Sequence, residues 1–225
     1  MKAVLASRNP GKLAELRRIL AGLGIELVGL DDYPEVGDVE ETGETFVDNA
    51  RLKAHAVAAA TGLLAIADDS GLEVDALGGM PGVLSARWSG RHGDDEANLD
   101  LLLGQLQSVP DDRRGAAFVC AAAAAMPDGT ERVALGRLEG SVIRERRGSG
   151  GFGYDPVFRP LGETRTTAEL DAAEKDAISH RGLAFRALAA DIATLADALT
   201  RPGLHGSAGS GSGRESEAPP RRPAR

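Results

Sequence analysis

The sequence predicts an α/β domain built around a mixed β-sheet. Two observations carry that prediction. Short β-prone runs alternate with segments whose leucines recur at helical spacing, and two long runs are joined by the turn signal Pro127-Asp128-Gly129. At 225 residues, 42% hydrophobic and 27% charged, the chain is long enough to bury one sizeable core.

Taken in order, Lys2 to Ala6 forms a short β-prone run. Asn9 then offers an N-cap and Pro10 a first helical residue, and Leu13, Leu16, Leu20 and Leu23 continue at helical spacing. Glu26 to Leu30 reads as the second strand. Thr45-Phe46-Val47-Asp48 resembles a capping box, opening a helix through Ala60. Leu63 to Ala67 is a compact apolar run that stops at Asp68-Asp69-Ser70-Gly71, the pattern of a buried strand with acids at its carboxyl end. The acidic start Asp94-Asp95-Glu96 suits the N-terminus of a helix bearing Leu99, Leu102, Leu103 and Leu106. Ala116 to Met126 is rich in alanine, which favours helix, but Phe118-Val119-Cys120 and the turn after it favour a strand with Arg132 to Ile143 as its return. Strand is the reading adopted. Leu188, Ile192, Leu195 and Leu199 mark a final helix capped by Ser179.

Residues 1–200 form this domain, and composition changes sharply beyond it. The last 25 residues are Gly, Ser, Pro and Arg with little to bury, which predicts a disordered tail. Formal net charge is −8 overall. The tail carries five Arg against two Glu, so the domain itself holds −11. A surface that acidic argues against a nucleic-acid partner, whose phosphates require a basic face. Cys120 is the only cysteine, which excludes an intrachain disulfide and suits a reducing compartment. With no secretory pattern at the N-terminus and no apolar run near the roughly 20 residues that span a bilayer, the expected location is the cytoplasm, away from membranes.

Five polar clusters are candidates for chemistry. Ser7-Arg8-Asn9-Pro10-Gly11-Lys12 lies at a strand-to-helix junction, where backbone N–H groups, a hydroxyl, an amide and an ammonium suit phosphate; an ordinary capped turn is the alternative. It is not a P-loop. Glu40-Glu41-Thr42-Gly43 precedes the helix on which Asn49 and Lys53 share a face, as a site or as a surface ion pair. Asp68 and Asp69 repel one another unless a cation compensates, and magnesium is the hard cation that bridges one or two carboxylates to phosphates. A proton could also compensate, and the alternative is that one of the two caps the following turn while the other faces water, a structural role that Asp68 fits in part.

Gly148 to Pro156 matches G-x-G-x-x-G, but the β-prone Val157-Phe158 follows where a dinucleotide fingerprint requires a helix. Its Phe152 and Tyr154 suit stacking on a base, or the loop is simply a tight turn. Lys175 with Ser179-His180-Arg181 is either a solvated face or a set of donors for a purine carbonyl and a triphosphate.

In this order the clusters resemble the inosine triphosphate pyrophosphatase family, the Ham1-like enzymes that cut non-canonical purine triphosphates. The stretches that match are Ser7 to Lys12, Glu41 to Phe46, Asn49-Ala50 with Lys53-Ala54, Ala67 to Leu72, Gly79 to Val83, Ser85-Ala86-Arg87, Gly150 to Pro156, and Ser179-His180-Arg181. They run from Met1 to about Leu199. Leu84 departs from the pattern, standing where an aromatic is common, and the adjacency of Glu40 and Glu41 leaves either as the metal-binding residue there.

The resemblance implies an elongated α/β fold with a central mixed sheet flanked by helices, two lobes around a substrate cleft, and a homodimer. It implies hydrolysis of dITP, ITP, XTP or dXTP to the monophosphate and pyrophosphate, with Mg²⁺. By position, Asp69 is similar to the family's proton acceptor, and Glu41 with Asp69 to its metal-binding acids. Ser7, Arg8, Asn9, Pro10, Gly11 and Lys12 look like its phosphate loop, assisted by Lys53. Ser70 and Lys175 look like further substrate contacts, Phe152, Gly153, Tyr154 and Asp155 like the holders of base and sugar, and His180 and Arg181 like the readers of the purine edge. Two rival readings are a Maf-like nucleotide pyrophosphatase with another base preference and a nucleotide sensor without turnover.

Overall fold

The computed structural model describes residues 1–200, with side chains through residue 196. The expected tail, 201–225, and the side chain of Leu199 lie outside the described residues. Six strands make one sheet in the order β2-β1-β3-β4-β5-β6. In sequence the elements are β1 (Lys2–Leu5), α1 (Pro10–Ile19), β2 (Glu26–Val28), α2 (Phe46–Thr61), β3 (Leu64–Val74), α3 (Asp95–Gln105), β4 (Gly115–Ala125), β5 (Glu131–Val142), β6 (Phe158–Pro160), α4 (Ala172–Ile178) and α5 (His180–Thr200). β1 pairs in parallel with β2 and β3, and β3 through β6 are antiparallel neighbours. This is the mixed sheet expected.

Local chemistry sets the helix starts. Asn9 Oδ1 accepts from the amides of Gly11 (2.8 Å) and Lys12 (3.1 Å), and Pro10 occupies the position whose N–H would be wasted. Thr45 and Asp48 make the reciprocal capping box at α2. Asp94 caps α3 through the amide of Ala97. Ser179 Oγ accepts from the amide of Gly182 at the start of α5.

Alternation along the long strands divides the core between two helical layers. Leu64, Ile66, Cys120, Ala122 and Ala124 face α1 and α5, meeting Leu16, Leu20, Phe185, Leu188 and Ile192. Ala65, Ala67, Ala121, Ala123 and Ala125 face α2, meeting Ala50, Ala54, Val57 and Ala58. The alanine run of β4 is therefore a strand covered on both faces, where small side chains let helices approach closely. Gly136 of β5 extends the same device: a Cβ there would collide with the carbonyl of His180 and the amide of Ala184, so glycine lets the first turn of α5 rest on the sheet.

β3, β4 and β5 continue beyond these layers into a second cluster. Leu72, Val74, Phe118, Val142 and Phe158 there pack with Leu99, Leu102 and Leu106 of α3. The two clusters form the two lobes, and the strands that join them floor the space between. Among the described residues no helix is long and apolar enough to cross a membrane.

The main departure from expectation concerns β3. The apolar run does not end the strand at Ala67; hydrogen bonding continues through Val74, with Asp68 opposite Ala122 and Asp69 opposite Ala121 on β4. The two acids thus sit in mid-strand. Smaller differences arise at element ends: β2 stops at Val28, and α1 stops at Ile19 before a 3₁₀ turn at Ala21–Leu23. β6 and α4 were not expected.

Candidate active site

Between the lobes lies a cleft of ≈ 720 Å³. The loop after β1 supplies Ser7, Arg8, Asn9 and Lys12; Glu41 and Lys53 come from the α2 side, and Asp69 and Ser70 from β3. Phe152, Gly153, Tyr154 and Asp155 enter from the glycine-rich loop, Lys175 from α4, and His180 and Arg181 from α5. Pro10 and Gly11 are not in the wall; they serve the helix start behind it.

The pleat explains how two adjacent aspartates coexist. Successive side chains leave opposite faces of a strand, so Asp68 and Asp69 each have their own cations. The expectation of mutual repulsion relieved by a shared cation is corrected accordingly. Asp68 is buried against the α1/α5 side, where Oδ1 accepts from Lys12 Nζ at 3.1 Å and Oδ2 from Arg181 Nε at 3.2 Å and Ser70 Oγ at 3.0 Å. Burial disfavours its charge, but Lys12 and Arg181 outweigh that and hold its carboxyl far below the usual range. Asp68 neither caps the turn after β3 nor faces water; its structural role is that of a buried partner for Lys12 and Arg181.

Asp69 faces α2. Oδ2 accepts from Asn49 Nδ2 at 3.0 Å, and Oδ1 lies 3.4 Å from Lys53 Nζ. Burial raises its pKa and neighbouring Glu41 adds to the rise, against the opposing pull of Lys53 and Asn49. The second acid, Glu41, meets the same ammonium at 2.7 Å through Oε1, and Arg87 Nη1 at 3.3 Å through Oε2. Burial opposes its ionisation, yet Lys53 outweighs burial and lowers its pKa. Two ionisable carboxylates therefore converge on one buried lysine.

The loop after β1 differs from the expectation in one respect. Its Gly11 and Lys12 amides are taken by Asn9, so the groups it turns toward the cleft are the Ser7 hydroxyl, the Asn9 amide and the Lys12 ammonium. Arg8 reaches the carbonyls of Leu30 (3.2 Å) and Val36 (2.6 Å), which clamps the loop to the segment after β2. Its Nη1 and Nη2 are spent on that clamp.

At the opposite end, Asp155 organises the glycine-rich loop. Its buried carboxylate accepts from the amide of Phe152 (2.9 Å), from Thr167 Oγ1 (2.7 Å) and from Lys175 Nζ. Gly151 has φ of 74°, and a Cβ on it would strike that carboxylate, so only glycine serves. Tyr154 is buried in the far-lobe core with its hydroxyl donating to the carbonyl of Ser85 at 2.9 Å, which makes it wall rather than stacking surface. Phe152 is the free aromatic, 42% exposed, with Lys175 Nζ 5.3 Å and Arg181 Cζ 5.6 Å from its ring centre.

His180 stacks on Phe118 with ring centres 4.8 Å apart and planes 13° from parallel. Burial, reinforced by the charges of Arg181 and Lys175, keeps it neutral well below the ordinary histidine range. Its Nδ1 is buried with no hydrogen-bond partner among the described residues. Three cleft features were not assigned from sequence: Asn49 beside Asp69, Arg87 beside Glu41, and Asp95, which receives the amide of Gly153 at 2.9 Å. The Ser85-Ala86-Arg87 stretch was the available signal for Arg87. Asp95 carried none beyond a helix start.

A mixed sheet flooring an interlobe cleft that is lined by basic side chains, two acids that share a lysine, a neutral histidine and an exposed phenylalanine fits a nucleotide-processing α/β enzyme. The chain belongs to the Ham1 family, whose model matches residues 3–191. It is 64% identical over 189 residues to the dITP/XTP pyrophosphatase of Streptomyces coelicolor, covering 83% of this chain and 94% of that one. Its fold matches the crystal structure of a nucleoside-triphosphatase, dITP/XTP pyrophosphatase, from Mycobacterium abscessus, with a TM-score of 0.69, 60% identity, and coverage of 85% of this chain and 99% of that chain. A HAM1 protein from Coxiella burnetii gives a TM-score of 0.79 at 42% identity, covering 86% and 99%.

Proposed function

We propose that this protein hydrolyses non-canonical purine nucleoside triphosphates, dITP, ITP, XTP and dXTP, to the monophosphate and pyrophosphate, which removes them from the pool available for DNA and RNA synthesis. The observation that carries the reading is the convergence of Glu41 and Asp69 on Lys53 in a cleft that also holds Lys12, Lys175, Arg181 and the exposed ring of Phe152.

The donor chemistry fits magnesium. Glu41 and Asp69 are oxygen ligands brought to one place, and among the described residues no group of three or more His, Cys, Asp or Glu side chains forms a protein-only metal site. Magnesium is commonly held in that way, by one or two carboxylates together with substrate phosphates and water. Bound there, it supplies neutralisation of the phosphate oxygens as charge builds on them.

The side chains do the rest. Asp69, aligned by Asn49, accepts the proton of the water that attacks the α-phosphorus, and the bond to the β-phosphate oxygen breaks. Lys12 and Lys53 stabilise the pyrophosphate that leaves, with Ser7, Asn9 and Ser70 holding the phosphates. Phe152 covers the base, Asp155 fixes the loop that presents it, and Lys175 approaches from the same side.

His180 and Arg181 read the purine 6-position. Hypoxanthine and xanthine carry a carbonyl there that satisfies their donors, whereas the amino group of adenine leaves a buried donor unpaired, a mismatch that costs roughly 10⁴-fold or more in specificity. The protein acts in the cytoplasm as a homodimer, without nucleic-acid or membrane partners.

The test is pyrophosphate release from dITP, XTP, dGTP, dATP and dTTP, with Mg²⁺ and with chelator. Fast metal-dependent release from dITP and XTP, with weak release from dATP and dTTP, is expected, and dGTP, which also carries a 6-carbonyl, tests whether the site rejects the 2-amino group. Preference for dTTP would favour a Maf-like specificity, and binding without turnover would favour a sensor.

A further inference from the structure

The loop that carries Phe152 is held by two carboxylates, and only one of them belongs to it. The amide of Phe152 donates to Asp155 Oδ2 at 2.9 Å within the loop, whereas the next amide, that of Gly153, donates to Asp95 Oδ2 at 2.9 Å on α3. Asp155 is matched by Lys175, but Asp95 has no salt-bridge partner among the described residues. Its charge sits in the first turn of α3, where the helix favours an anion. The helix does not need it as a cap, because Asp94 already accepts from the amide of Ala97.

α3 is tied to the same segment on its other side. Arg146, just after β5, meets Glu96 and Asp100 of α3, the latter at 2.6 Å, so Arg146 and Gly153 are both fastened to one helix. That helix is anchored in the far-lobe core by Leu99 and Leu102. Gly153 has φ of 62° and open space where a Cβ would stand, so glycine serves the turn there and not a close approach. The Phe152 ring lies outside the core of either lobe, and the held backbone on both sides of it sets where it stands.

We propose that Asp95 is a positioning residue for base binding, acting through the backbone of the loop: by holding the amide of Gly153 it fixes the Phe152 ring where a base stacks against it. This rests on the covering role of Phe152 given above. Stacking uses the face of a base and does not separate a carbonyl from an amino group, so Asp95 sets affinity for the base and not the choice between bases. It contributes nothing to the hold on pyrophosphate, which falls to Lys12 and Lys53.

The test is a double-mutant cycle on IMP binding, using Asp95→Ala, Phe152→Ala and the two together, with inorganic pyrophosphate as the second ligand. Phe152→Ala should weaken IMP binding by roughly 5-fold to 150-fold, the scale of one stacked base. Asp95→Ala should weaken it by roughly 3-fold to 10-fold, the scale of one hydrogen bond, and should cost nothing further once Phe152 is gone. Pyrophosphate affinity stays at the parent value in all three, and Asp95→Asn, which keeps an acceptor oxygen, recovers most of the loss. No loss in Asp95→Ala, equal losses on both ligands, or losses that add in the double variant would overturn the proposal. A Phe152→Ala protein that binds IMP as the parent does would instead overturn the stacking role on which it depends. If Asp95→Ala does not fold, Asp95→Ser, whose shorter side chain does not span to Gly153, takes its place in the same cycle.

Discussion

Asp69→Asn is expected to reduce kcat for dITP by about 10²-fold to 10⁴-fold, the usual contribution of a positioned general base. The substitution removes the negative charge and the proton-accepting capacity but keeps a carbonyl oxygen for the amide of Asn49, which lies 3.0 Å from the carboxylate in the parent. Lys53 retains Glu41 at 2.7 Å, so its charge is not left alone. The loss should therefore appear in turnover and not in folding, with the unfolding midpoint close to that of the parent. Stopped-assay pyrophosphate release beside thermal unfolding separates the two. Undiminished turnover would remove Asp69 from the chemistry.

The neighbouring residue has the opposite profile. Asp68→Asn leaves Arg181 with Glu15 as its remaining carboxylate and Lys12 without its carboxylate partner, and breaking a buried pair on one side costs at most about 3–5 kcal/mol. Stability should fall at pH 7 by that order, measured by urea unfolding. The pH dependence carries a sign that can be worked out. The folded pKa of Asp68 lies below its unfolded value of about 3.9, so its contribution is fully present above that pH and is lost as pH falls below it. The parent should thus lose stability more steeply than Asp68→Asn between about pH 4 and pH 2. Parallel curves would mean that Asp68 is not ionised in the folded state.

These contrasting outcomes for adjacent residues show where sequence reading succeeds and where it stops. Asn9, Pro10, Thr45, Asp48 and Ser179 could be read as helix starts because capping is settled by residues three apart. β4 could be read as a strand, against its alanine content, because the turn after it fixed a hairpin. The acids of β3 were misplaced at a strand end because a polar pair inside an apolar run looks like its terminus. Only the ten-residue pairing with β4 shows that the strand carries them through, and that pleating sends them to different partners. β6 has three residues, too few for periodicity to register.

The candidate site divides in the same way. Lys12, Lys53, Asp69 and Arg181 could be singled out as candidates because they lie in short polar clusters within otherwise apolar segments and the clusters occur in a familiar order. Glu15 could not. On α1 it stands between Leu13 and Leu16 as an ordinary solvated position, and its burial is decided by Arg181, 166 residues away. Tyr154 shows the converse error, since an aromatic in a glycine-rich loop suggests a stacking surface, whereas its hydroxyl reaches Ser85 and its ring completes the far-lobe core. Asn49 was seen to share a face with Lys53, but its bridge from Asp69 to the amide of Gly43 depends on how the loop carrying Glu41 folds over α2.

The central claim is cleavage between the α- and β-phosphates, and phosphorus NMR of the products of dITP tests it most directly. The arrangement of Asp69, Lys12 and Lys53 predicts dIMP and pyrophosphate in equal amounts, with neither orthophosphate nor dIDP at early times. Formation of dIDP and orthophosphate would place the attack at the γ-phosphate and contradict the account.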